Sequence, residues 1–282
     1  MMLLKKFFAA LLALAMSLTL SAALAEDNSL QAILDKGTFI IGLDDSFPPM
    51  GYRDENNDIV GFDIDVARAV AEKLGVEFIA QPISWEAKDL ELSSGNIDCI
   101  WNGMSITPER EESMAMTFPY LNNQIVCYTK NNASIASLAD LAGKSVAVQN
   151  SSYAEELLLS DDYADVKATF ADMPGFEDYL TALMDLQQGG VDAVIMDLVV
   201  GDFRINSMGA ENLKAAFALE DDNYGIGFRK DDLALRDKVQ DILKEMKADG
   251  SLAAISEKWF GSDITVVPDL QGAVFRNLNR RL

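Results

Sequence analysis

The run DCIWNGMSITPER, residues 98–110, decides how the rest of the chain is read. Asp98 to Trp101 opens an apolar run of the kind that fills a buried strand, and Asn102, Gly103 and Ser105 follow with small polar groups at its carboxyl end. Thr107-Pro108 then starts a helix, with Thr107 as N-cap and Pro108 at the first helical position. Arg110 falls in the first turn, where the helix dipole favours negative charge. A cation beside free backbone N–H groups and small hydroxyls makes sense if an anion docks there. The bland alternative is a solvated arginine that the dipole tolerates.

The chain has 282 residues, 49% of them hydrophobic, enough for two compact domains or one large one and too apolar for disorder. Beyond residue 25 it carries 21 basic against 45 acidic residues. Such a surface repels nucleic acid and anionic lipid, so neither is expected as a partner. There is no histidine, which removes the commonest general base and the commonest transition-metal ligand. Residues 1–25 read as a signal peptide: Lys5 and Lys6, an apolar core from Phe7 to Leu20, and Ala23-Leu24-Ala25 as cleavage site. The mature chain is expected to start at Glu26, exported and without a lipid-bearing cysteine. Cys99 and Cys127 are the only cysteines; export permits a bridge, and two buried thiols fit equally well.

Along the chain, Ser29 to Asp35 reads as a helix stopped near Gly37, and Thr38 to Leu43 as a buried strand with Asp44 at its carboxyl end. Phe47-Pro48-Pro49-Met50 is a stiff apolar loop. Val66, Ala67, Val70, Ala71 and Leu74 share one helix face, stopped by Gly75. Val76 to Ala80 is a strand, Trp85 to Leu92 a helix, and the opening strand follows. This alternation predicts an α/β fold with a mainly parallel sheet.

A second unit repeats the plan. Ser145 to Val148 is a strand, and Ser152 with Glu155 forms a capping box for the next helix. Leu186, Gly189 and Asp192 repeat the spacing of Leu92, Gly95 and Asp98, each trio ahead of a buried run, which predicts two lobes of like topology. Gln124 to Lys130 and Tyr224 to Arg229 are candidates for strands crossing between lobes as a hinge. Asp232 to Lys247 and Ser251 to Phe260 are helices. Residues 262–282, with Arg276, Arg280 and Arg281, have no clear assignment.

Ligands of open α/β sheets bind beyond the carboxyl ends of the strands. Asp44, the 102–105 segment, Ser151-Ser152 and Asp197 all stand at such ends. Facing each other, they would line one cleft, positive at Arg110 and negative at Asp197, suited to a small zwitterion with Phe47 and Trp85 about its middle. Singly, each has a duller reading: Asp197 as an N-cap, Asp44 as a cap of the Ser46 turn, the aromatics as core.

These pieces also carry a resemblance. IIGLDDSFPPMGYRDENNDIVGFDIDVARAVAEKLG (40–75), GNIDCIWNGMSITPER (95–110), MTFPY (116–120), GKSVAVQNSS (143–152), GGVDAVIMD (189–197), YGIGFRKDD (224–232) and EKWFG (257–261) resemble the periplasmic-type solute-binding proteins of amino-acid ABC transporters, in the polar amino-acid group. The resemblance implies a type II periplasmic binding protein fold, with two Rossmann-like α/β lobes joined by two hinge strands. Lobe 1 would comprise 26–126 and 225–282, and lobe 2 would comprise 127–224. It implies a monomeric protein, outside the cytoplasm, that uses no cofactor and delivers one amino acid to a membrane permease. By motif position, Arg110 would bind the α-carboxylate with Ser105 and Ser152. Asp197 would bind the α-ammonium with the Gly103 carbonyl. Phe47 and Trp85 would flank the side chain, and Asp44 would face its far end. The second-lobe loop departs from the family's usual Gln-Gly-Thr/Ser-Thr/Ser: Asn150 stands where glycine is common and is expected in a left-handed or bent conformation. A dehydratase on the same fold would need Glu86 or Asp44 as its acid–base group, and no spacing marks such a pair. The cognate side chain stays open among glutamine, arginine, lysine, cystine and histidine.

Overall fold

The computed structural model describes residues 27–268. The expected signal peptide and the three tail arginines lie outside them. One large sheet runs through the molecule in the order β10 (Gly175–Phe176), β9 (Val146–Gln149), β11 (Ala193–Asp197), β8 (Leu121–Lys130), β12 (Leu213–Arg229), β6 (Cys99–Ser105), β1 (Thr38–Leu43), β5 (Glu77–Pro82), with β7 (Met114–Met116) also paired to β12, while β2 (Ser46–Phe47), β3 (Gly51–Arg53) and β4 (Ile59–Val60) form a small separate sheet. One half is built on β1 (Thr38–Leu43), β5 (Glu77–Pro82) and β6 (Cys99–Ser105), where β1 pairs in parallel with both neighbours. The other half is built on β9 (Val146–Gln149), β10 (Gly175–Phe176) and β11 (Ala193–Asp197), again parallel. These are two α/β lobes of one plan.

The repeated trio has a structural reason. Asp98 Oδ2 accepts the Ile40 N–H at 2.7 Å, and Asp192 Oδ2 accepts the Ser145 N–H at 3.0 Å. In each lobe the aspartate ahead of one strand holds the start of its neighbour. The preceding glycine, Gly95 or Gly189, turns the chain with φ of 80° or 90°, a conformation glycine adopts without steric cost. The helix Phe62–Leu74 places Val66, Ala67, Val70 and Ala71 against the first lobe's core with Phe39, Ile41 and Leu43. In the second lobe, Val146, Val148, Leu158 and Ile195 pack together. Cys99 and Cys127 are free buried thiols, packed in separate clusters.

Two long strands join the lobes: β8 (Leu121–Lys130) and β12 (Leu213–Arg229), antiparallel along their length. Residues 125–129 of β8 pair with β11 in one lobe, whereas Tyr224 to Phe228 of β12 pair with β6 in the other. The crossing point is where Asn122 and Asn123 face Asn223 and Asp222. Both strands are longer than their apolar stretches suggest, because the polar crossing residues are held by each other's backbones. For the same reason β6 runs on through Asn102–Ser105: Ser105 and Met104 pair with Tyr224 and Gly225. β7 (Met114–Met116), absent from the sequence reading, exists because β12 offers it a free edge.

Candidate functional site

Arg110 is set by the start of its helix, Pro108–Ser113, where Thr107 Oγ1 accepts the Arg110 N–H at 3.2 Å. The side chain is buried, 5% exposed. Nη1 donates to the Ser105 carbonyl at 2.9 Å and Nη2 to Glu156 Oε1 of the opposite lobe at 2.8 Å. Nε is buried with no partner among the described residues. Only two of its five N–H groups are answered among the described residues, which leaves a strong donor for an incoming acceptor.

Asp197 ends β11 and occupies the N-cap position of the next helix, Leu198–Met208, yet its side chain makes no capping bond. Its Oδ1 accepts instead from Tyr224 Oη at 2.7 Å and Asn123 Nδ2 at 2.8 Å. The second Asn123 N–H goes to Asp222 Oδ2 at 2.9 Å, which also accepts from Ser105 Oγ at 2.8 Å. Ser152 caps the helix Tyr153–Leu159 through the Glu155 N–H, and Glu155 returns a carboxylate to the Ser151 N–H at 2.7 Å. The left-handed residue in this loop is Ser151, φ 56°, and Asn150 lies in the turn beside it, the bent alternative of the expectation. The Asn150 side chain is laid where a Cβ on Gly175 would collide with it, so that neighbouring glycine makes room. Gly103 has φ 58°, and a Cβ there would lie 2.8 Å from the Phe47 ring and 3.0 Å from Tyr224. Its N–H is held by the buried Asp63 carboxylate at 2.8 Å.

Phe47, Trp85, Gly103, Ser105, Arg110, Ser152 and Asp197 line one gap between the lobes, together with Asn102, Gln149 and Tyr153. Asp44 is not in that lining; Gln149 Nε2, which is, donates to Asp44 Oδ2 at 2.7 Å. In this structure the gap is nearly closed around these side chains. A larger open groove of about 1130 Å³ lies beyond the Arg110–Glu156 pair, lined by charges of both signs and by Tyr153 and Tyr163, and its lining does not include Asp197. Away from the crossing strands the lobes meet through Arg110 to Glu156, Gln149 to Asp44, Lys88 Nζ to the Ser151 carbonyl at 3.2 Å and Arg204 Nη2 to the Ser46 carbonyl at 2.8 Å, and through the ring pairs Phe47–Tyr179 and Tyr52–Phe203.

Residues 39–262 match the family model of bacterial extracellular solute-binding proteins, family 3. The chain belongs to this family. It is 30% identical to an L-cystine-binding protein of Escherichia coli over 244 residues, 86% of this chain and 89% of the relative. It is 31% identical to ABC transporter arginine-binding protein 1 of the same organism, covering 86% and 98%. The crystal structure of an ABC uptake transporter substrate-binding protein from Streptococcus pneumoniae with bound histidine superposes with TM-score 0.82 at 32% identity, covering 86% of this chain and all of that one.

Burial dominates the electrostatics of this solute-binding protein's cleft. Asp197 is pushed up to about 7, first by burial and then by the like charge of Asp222. Burial also raises Asp44 to about 6 and Asp63 to about 7. Lys88 is lowered by burial and by the nearby Arg110 cation. A carboxyl whose folded pKa exceeds its unfolded one stabilises the fold at low pH, and that contribution is lost as pH rises through the folded value. Stability of the ligand-free chain should therefore fall between about pH 4 and pH 7, helped by growing repulsion among the acidic residues. Thermal unfolding followed by circular dichroism should give a higher midpoint at pH 5 than at pH 7.5; the reverse order would contradict these assignments.

Glu156, Asn123 and Asp222 were missed by sequence reasoning. Glu156 lies four residues past Ser152, one helical turn on, so a carboxylate reaching across the cleft was signalled only weakly. Asn123 and Asp222 sit in strand segments without apolar alternation.

Proposed function

We propose that this protein captures one polar amino acid between its lobes, outside the cytoplasm, and presents it to the membrane permease of an ABC transporter. The reading rests on one observation above the rest: a buried arginine from one lobe and a buried aspartate from the other line the same small gap. Arg110 takes the α-carboxylate through its unpartnered edge, helped by the Ser152 hydroxyl and the backbone N–H of Ser105, whose own hydroxyl proton goes to Asp222. Asp197 takes the α-ammonium, with the Gly103 carbonyl beside it. Phe47 and Trp85 flank the side chain, whose far end meets Gln149 with Asp44 behind it.

A zwitterion is strongly hydrated, and taking it out of water costs several kcal/mol per charge unless each end is paired. Placing the two counter-charges on different lobes makes full pairing available only when the lobes close. Ligand then favours closure by its higher affinity for the closed state. Rotation about the β8–β12 crossing separates residues 26–126 and 225–282 from 127–224, with residues 1–25 removed on export. In this reading the chain acts as a monomeric carrier, and the amino-acid-binding names of its relatives favour capture over turnover. The named ligands of its relatives, cystine, arginine and histidine, share polar or cationic side chains of the kind that Gln149 and Asp44 can receive.

A thermal-shift panel of the common L-amino acids with cystine and ornithine tests this directly. Ligand at one hundred times its dissociation constant adds about 2.7 kcal/mol of stability, so the cognate amino acid should stand out by several degrees. No shift from any member would refute the reading. With that amino acid bound, small-angle scattering should give a smaller radius of gyration than without it; equal radii would contradict ligand-driven closure.

A further inference from the structure

We propose that Asn123 and Asp222, directly opposite one another in the two crossing strands, are positioning residues of the ammonium half-site, tying Asp197 of one lobe and Ser105 of the other to the hinge. The proposal rests on the reading of Asp197 as partner of the α-ammonium. Its basis is a continuous chain of five side chains: Ser105, Asp222, Asn123, Asp197 and Tyr224. Ser105 Oγ donates to Asp222 Oδ2 at 2.8 Å, Asn123 Nδ2 donates to Asp222 Oδ2 at 2.9 Å and to Asp197 Oδ1 at 2.8 Å, and Tyr224 Oη donates to the same Asp197 oxygen at 2.7 Å. Asn123 and Asp222 are each 5% exposed.

A carboxamide nitrogen carries two N–H groups and no more. Asn123 uses one for each of two buried carboxylates, so neither is left bare toward the other. Asn123 and Tyr224 both donate to Asp197 Oδ1, which leaves Oδ2 turned to receive an ammonium. Removing Asn123 would free the Asp197 side chain to turn and leave two like charges facing each other without a bridge, a costly arrangement in a buried site. Because the two residues are cross-strand partners at the crossing point, one network fixes a ligand-facing group of each lobe relative to the pivot. The ammonium half-site thus stays assembled while groups farther from the crossing, such as Arg110 and Glu156, are those that closure brings together.

The test uses the full mature chain, its variants and two probes. One probe is the L-amino acid giving the largest thermal shift; the other is the carboxylic acid with the same side chain and hydrogen in place of the α-amino group. Dissociation constants are taken by calorimetry, by competition at millimolar concentration for the weaker probe. Asn123→Ala should weaken the amino acid by at least about tenfold and the deamino acid by less than about threefold, since only the former uses the ammonium site. Asp222→Ala should do the same, and Asp222→Asn, which still offers an oxygen to Ser105 and Asn123, should return to within about threefold of wild type. Equal losses for both probes, or no loss for either, would overturn the proposal while leaving the amino-acid reading intact. Should Asn123→Ala fail to fold, the Asp222 pair decides by the same ratio. A wild-type chain that binds no amino acid defeats the reading beneath the proposal, and the proposal with it.

Discussion

Replacing Arg110 by alanine is expected to weaken amino-acid binding by well over tenfold in a chain that still folds. Truncating one partner of a buried, hydrogen-bonded charge pair costs roughly 2–5 kcal/mol, a factor of about 30 to several thousand in affinity. The ligand carboxylate would lose its guanidinium partner in a gap too small to keep it hydrated. Folding should survive, because the charged partner left behind is Glu156, whose side chain is 41% exposed and can turn to water, and the other group released is a single backbone carbonyl, that of Ser105. Arg110→Lys should recover little: an ammonium is a point donor and cannot match the plane of a carboxylate, nor reach the Ser105 carbonyl and the ligand together. Calorimetry on the two variants checks both statements, and an unchanged dissociation constant in folded Arg110→Ala would reject the carboxylate assignment.

The second large effect lies at the other end of the ligand. Asp197 is raised to about 7 in the ligand-free cleft, so near neutral pH a substantial part of the population carries a proton there. An ammonium binds the ionised form. Binding below pH 7 must therefore release a proton, and affinity should fall by about tenfold for each pH unit below the carboxyl's own value. The ligand's α-carboxylate stays ionised over this window and its α-amino group stays largely protonated; of the candidate ligands, histidine alone adds a side chain that titrates within it. Between pH 8 and pH 5.5 the dissociation constant should accordingly rise by more than about tenfold, with heats that depend on the ionisation enthalpy of the buffer. Asp222 and Asp44, raised by the same burial, add smaller contributions of the same sign. Asp197→Asn should bind weakly at every pH and lose most of the slope. An affinity independent of pH from 8 to 5.5 would show that the ammonium meets no titrating carboxyl.

Much of this architecture is legible in the chain because it depends on short-range rules. The helix from Phe62 to Leu74 declares itself by a 3.6-residue apolar period and a glycine stop, and Thr107-Pro108 announces its helix by capping chemistry alone. The candidate site was legible where its residues sit at element ends. Arg110, Ser152 and Asp197 all adjoin caps or strand termini, where neither apolar periodicity nor core packing dictates the side chain and its chemistry stands out. What sequence could not disclose depends on pairing between distant segments. The long extent of β12 follows from the backbone of β8, not from its own residues, and the same holds for β6 past Trp101. Asn123 and Asp222 acquire meaning only once they face each other across that pair. At Asn150 the sequence points to a left-handed or bent residue without choosing; the Glu155 carboxylate holds the Ser151 N–H, and the left-handed position falls on Ser151 with Asn150 in the turn beside it.

The claim on which the account turns is that Arg110 and Asp197, from different lobes, grip opposite ends of one amino acid. A crystal structure of the protein with the amino acid selected by the thermal-shift panel tests it most directly. The account predicts the α-carboxylate at about 2.7–2.9 Å from the Arg110 guanidinium and the α-ammonium within hydrogen-bonding distance of Asp197, in the gap between Phe47 and Trp85. An amino acid seated in the outer groove, or lying in the gap with its carboxylate away from Arg110, would contradict it.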